Sequence, residues 1–96
     1  MVLENVRDSL KPALREEEAI NPELAFDIQI DTKTDALIIK GYNTLMKRSL
    51  GFAITNHSIV EGLYKESFGP SLNHLVKLLL DPSLDMTIAR FTDSRV

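Results

Sequence analysis

Lys40, Gly41, Asn43, Thr44, Lys47 and Arg48 crowd into the stretch KGYNTLMKRS, residues 40–49. Together they are the residue types that hold an anion. A glycine lets a ligand approach the backbone. An asparagine or threonine caps a helix, and the free N–H groups and dipole at a helix N-terminus attract negative charge. Lys40, Lys47 and Arg48 add three cations. The chemistry such a corner supports is capture of a phosphate, a carboxylate or a nucleotide, with no bond made or broken. The spacing is neither the GxxxxGK[ST] of a P-loop nor the GxGxxG of a dinucleotide site. The plainer reading, a strand turning into a capped helix, explains the same residues without a ligand.

Other chemistry finds less support. His57 and His74 do not form a ligand spacing and nothing like HExxH occurs, so no metal site is expected. The absence of cysteine removes disulfides and thiolate ligands, and favours a cytoplasmic setting. SFGPS (67–71) does not match the GxSxG of a nucleophile elbow. Asp27, Gln29 and Asp31 alternate along one segment and read as the wet side of a strand, and Tyr42 and Tyr64 read as packing residues. The chain is therefore expected to be no enzyme and to use no cofactor.

Ninety-six residues make one domain, 1–96, with a thin core and a loose tail over 92–96. The apolar fraction of 44% and charged fraction of 26% are those of a globular protein. The start, MVLENVRDSL, lacks the apolar run of a secretory signal, which makes the sequon Asn56-His57-Ser58 accidental. No apolar run has the length to span a membrane. Net charge of −3 argues against nucleic acid as a partner. Its distribution is lopsided: residues 1–35 hold nine acids and four bases, and residues 36–80 hold five bases and two acids.

The elements that must position these residues follow from periodicity. Leu3, Val6, Leu10, Ala13 and Leu14 form a helical stripe interrupted by Pro12, which leaves open one kinked helix over 2–20 or a shorter one starting near Ser9. LAFDIQID (24–31) alternates as a half-buried strand, DTKTD (31–35) turns, and ALIIK (36–40) returns as a second strand. Residues 44–55 read as a helix capped by Asn43 or Thr44, weakened by Gly51, Ile54 and Thr55 and open to ending as a strand, LGFAIT. Ser58 and Glu61 form a capping box for a further helix that Gly69-Pro70 stops or kinks. Leu72, Leu75, Val76, Leu79 and Leu80 make the clearest apolar stripe, and residues 84–89 alternate as a last strand.

The expected fold is thus α+β, in the order α-β-β-α-α-β. A small, mainly antiparallel three-stranded sheet in the order 2-1-3 carries the helices on one face. The expected core is Phe26, Ile28, Ile30, Ile38, Leu63, Leu72, Leu75, Val76, Leu79 and Ile88.

LIIKGYNTLMKRSL (37–50) and VEGLYKESFGPSLNHLVKLL (60–79), followed by an Asp-containing strand, resemble the MpsC-like small proteins. INPEL (20–24) stands where that family has a Gly-Arg-Gly-Pro stretch. The resemblance implies an accessory role beside a membrane ion or inorganic-carbon system, and it transfers no site residue. Three functional expectations stand side by side. The first is a non-enzymatic protein-interaction or regulatory domain, homodimeric because an open three-stranded sheet has two bare edges. The second is a small-anion or nucleotide sensor using the corner at 40–48. The third is the membrane-system accessory.

Overall fold

The computed structural model describes residues 2–83. In chain order they form α1 (Val2–Ile20), β1 (Leu24–Asp31), β2 (Ala36–Asn43), β3 (Arg48–Thr55), α2 (Asn56–Val60) and α3 (Tyr64–Leu80). The fold is α+β, with an antiparallel sheet in the order β1-β2-β3. The second strand is therefore central, flanked by β3, which takes in the strand LGFAIT left open as the end of the segment 44–55, while no helix forms at 44–47. The expected strand at 84–89, the 2-1-3 order that depended on it, the core position Ile88 and the tail 92–96 lie outside the described residues.

β1 buries alternate residues, and β2 and β3 largely do so apart from the buried runs Ala36-Leu37 and Leu50-Gly51-Phe52. Leu24, Phe26 and Ile28 from β1, Leu37 and Ile39 from β2, and Leu50, Phe52 and Ile54 from β3 face one core. Leu3, Val6 and Leu14 of α1 and Phe68, Leu72, Leu75 and Leu79 of α3 fill it from the helical side. Ile30 and Val76 pack against its margin. Two expected core residues sit elsewhere. Ile38 is only half-buried, because its neighbours Leu37 and Ile39 take the inward positions. Leu63 is exposed, because it caps α3 where the chain breaks between helices.

Two of the four prolines, Pro12 and Pro70, are accommodated inside helices. Pro12 lies within the single helix α1 and Pro70 within α3, each on the exposed side. A helical proline frees the carbonyl four residues back. Those carbonyls belong to Asp8 and Glu66, both exposed, so water can take the place of the missing donor. The break comes instead at Gly62, whose φ of +76° ends α2 in the left-handed region that glycine enters without strain. The cap of α2 is also displaced from Ser58 to Thr55, whose side chain accepts from the Ser58 N–H.

Among the described residues β1 forms one edge of the sheet, and α1 closes part of it. The Phe26 N–H donates to Glu18 Oε2 at 2.7 Å, while Arg15 holds Glu18 Oε1, also at 2.7 Å. A carboxylate on an outward-facing strand donor blocks pairing by another chain at that point. Partial burial pushes the Glu18 carboxyl up, but Arg15 and the Phe26 N–H outweigh it and hold its pKa below the ordinary value. A folded pKa below the unfolded one gives stability that is complete above the unfolded value, about 4.3, and is lost as pH falls through the folded value. Wild type should thus exceed Glu18→Gln by about 1 kcal/mol near neutral pH, the difference between a charged and a neutral acceptor. Urea unfolding at falling pH should show that gap closing below about pH 4. A gap that did not change with pH would exclude Glu18 as its source.

Candidate functional site

The candidate residues fall on the hairpin between β2 and β3. Its construction repeats that of the hairpin before it. Asp31 pairs with Ala36 and Asn43 with Arg48, so each turn spans four residues. In the first, Asp31 accepts from the Lys33 N–H at 3.0 Å and the Thr34 hydroxyl at 2.9 Å. In the second, Asn43 Oδ1 accepts from the N–H groups of Leu45 and Met46, both at 3.0 Å. Each turn closes on a residue with φ of +54°, Asp35 and Lys47. Side-chain acceptors two and three residues back stand in for a backbone turn, which is why Asp and Asn occupy these positions.

The second turn does more than reverse the chain. Asn43 is only 1% exposed, and its Nδ2 donates to the Leu79 carbonyl at 2.9 Å. Directly across the ladder, Arg48 Nη1 donates to the carbonyls of Leu78, at 2.9 Å, and Asp81. The Leu78 and Leu79 carbonyls are among those that an α-helix leaves unpaired at its C-terminus, and Asp81 is the cap residue that follows. The hairpin base therefore caps α3, and the guanidinium lies at the negative end of the helix dipole, where a cation is stabilised. Arg48 Nε is buried without an acceptor, which offsets part of that gain. Beyond the helix, Asp81 Oδ1 accepts from the Ser83 hydroxyl and N–H, and these bonds, with the nearby Arg48 charge, hold its pKa below the ordinary value.

Each residue singled out at 40–48 has a definite place. Gly41 is inside β2, not at its end, and faces the core. A Cβ there would lie 2.6 Å from Leu79 Cδ1 and 2.8 Å from Phe26 Cε1, so glycine is what lets α3 close on the sheet. Thr44, expected as a helix cap, instead ties the turn to the start of β1. Its N–H and hydroxyl both donate to the Glu23 carbonyl, at 2.8 and 3.0 Å. Lys40 is exposed on the other side of the sheet, opposite Asp27 in register, and Lys47 is exposed at the turn. The structure brings Asn43 and Arg48 together and sends Lys40 and Lys47 outward. Next to them is a helix C-terminus, with the dipole opposite to the one an anion needs.

What sequence reasoning missed is apolar. Leu45 and Met46 at the turn are 79% and 42% exposed, and Ile20 at the end of α1 is 66% exposed. The signal is visible as two large apolar residues between Asn-Thr and Lys-Arg, but a helix reading gives them an inner face. His57 and His74 are exposed on different helices, and among the described residues no three metal-ligating side chains gather. Among the same residues no helix is long and apolar enough to cross a membrane. Compared with known proteins, the chain matches no family model, no curated protein and no solved structure.

Proposed function

We propose that this chain is a non-enzymatic protein-interaction domain that works as a homodimer. The observation that carries this reading is the contrast at the β2–β3 hairpin. Its two buried polar side chains, Asn43 and Arg48, are engaged in holding α3, whereas its large apolar ones face water. Leu45 and Met46 are adjacent large apolar groups held in solvent by an ordered turn, a local apolar surface that a partner can cover. The thin core of a chain this short gives further reason to bury surface against a second copy. Light scattering on a sizing column tests it. At ~100 μM, well above typical specific dissociation constants, the mass should be near twice 10.8 kDa. A mass that stayed at 10.8 kDa would reject the dimer.

The rival is anion capture at 40–48. With Arg48 engaged by carbonyls, it rests on the exposed cations Lys40 and Lys47. A melting screen with phosphate and nucleotides separates the two readings. A bound anion at 100 times its dissociation constant adds about 2.7 kcal/mol, and our reading expects no such shift.

A further inference from the structure

We infer that the second copy docks end to end, the Leu45-Met46-Lys47 tip of each protomer lying against the Glu16–Ile20 face of α1 in the other. This rests on the homodimer reading and specifies its interface. Both surfaces belong to the same end of the molecule. The tip is tied to Glu23 through Thr44, and Glu23 follows the end of α1 by three residues. A two-fold axis passing beside that end therefore sets each tip against the partner's helix and each helix against the partner's tip. The contact is self-complementary and closes at two copies.

Charge and shape fit that pairing. Glu16 and Ile20 are both exposed and stand one turn apart on α1, so an acid and an apolar residue share one face. Leu45 and Met46 present the apolar match, and Lys47 presents the opposite charge. Glu18 is already paired with Arg15, which leaves Glu16 and its neighbour Glu17 to set the sign of this helix end. The tip is also ordered in advance. Asn43 Oδ1 holds the N–H groups of Leu45 and Met46, and the Lys47 N–H donates to the Asn43 carbonyl at 2.8 Å. A preformed loop loses little conformational freedom on docking.

A charge-exchange experiment tests this on the full chain, with sedimentation equilibrium measuring each dissociation constant and circular dichroism checking the fold. Lys47→Glu sets a carboxylate against the partner's Glu16, and Glu16→Lys sets an ammonium against the partner's Lys47. Each variant alone should dimerise roughly tenfold or more weakly than wild type, since facing like charges are costly. Mixed one to one, the two variants should form a heterodimer tighter than either variant's homodimer. One of its two contacts then pairs the native Lys47 with the native Glu16, and the other pairs the two substituted charges, again of opposite sign. Leu45→Asp should weaken the dimer with its fold intact, as the side chain is largely in solvent. A wild-type dimer that kept its affinity in Leu45→Asp and in both charge variants would overturn this interface and leave the dimer reading standing. A monomeric wild type would overturn both.

Discussion

Leu79→Ala is expected to lower the unfolding free energy by about 2–5 kcal/mol, as for other fully buried leucines truncated to alanine. Leu79 has no exposed surface, and its side chain rests over Gly41 and beside Phe26 where α3 meets the sheet. Gly41→Ala alone should cost about 1–3 kcal/mol, because its new methyl would lie at 2.6 Å from Leu79 Cδ1 and must displace it. The two substitutions touch the same space, so their effects should not add. In the double variant the methyl added at position 41 enters the volume that Leu79 vacated, and the total loss should fall below the sum by at least about 0.5 kcal/mol. Compensation will be incomplete, because the Phe26 ring also lies within 2.8 Å of the added carbon. Urea denaturation of the four proteins measures the coupling. Strict additivity would mean that α3 does not close over Gly41 as described.

That contact shows how far the sequence could be read. The stripe Leu72, Leu75, Leu79 and the alternation of LAFDIQID each carry their own period, and both face the core as expected. ALII (36–39) does not carry its phase. With four apolar residues in a row either pair could face inward, and the register with β1 and β3 puts Leu37 and Ile39 inside in place of Ile38. Gly41 reads locally as freedom for the backbone, since no short pattern shows that a leucine 38 positions later needs its missing side chain.

The stretch 44–55 was legible in principle. Asn43-Thr44 follows Asp31-Thr32 by twelve residues and opens a turn of the same length. Leu50, Phe52 and Ile54 alternate as a strand should, but Gly51 and Ala53 between them are too small to read as polar and blur the period. Helix propensity is a weak prior, and pairing with β2 along eight residues overrides it. A similar competition decides the next cap. Thr55–Ser58 and Ser58–Glu61 both offer capping frames, and β3 ends with Thr55 already extended, at φ −72° and ψ 156°, so the earlier frame wins. The candidate corner is the harder case. Its residue types announce polarity, but the partners of Asn43 and Arg48 lie 36 and 30 residues away, and no short-range spacing encodes them.

The same long-range bond makes Asn43→Ala a damaging change, expected to cost about 2–4 kcal/mol. Leu79 is fully buried, so its carbonyl loses a partner where water cannot readily replace it, and an unsatisfied buried polar group costs about 1–3 kcal/mol. The turn loses its side-chain acceptor as well, which by analogy with a helix cap adds about 1 kcal/mol. Thr44→Ala is the contrast within the same corner. The Thr44 hydroxyl bond to the Glu23 carbonyl is exposed and duplicated by the Thr44 N–H, so its loss should cost under about 0.5 kcal/mol. Hydrogen exchange separates the two parts of the Asn43 effect. The amides of Leu45 and Met46 should lose protection along with those in the last turn of α3, because one side chain serves both segments. If stability fell while the end of α3 kept its protection, the bond to Leu79 would contribute nothing and the turn alone would account for the loss. If Asn43→Ala and Thr44→Ala cost the same few tenths, Asn43 would not hold the helix, which would rest on Arg48 alone, and Asn43 would again be available for a ligand.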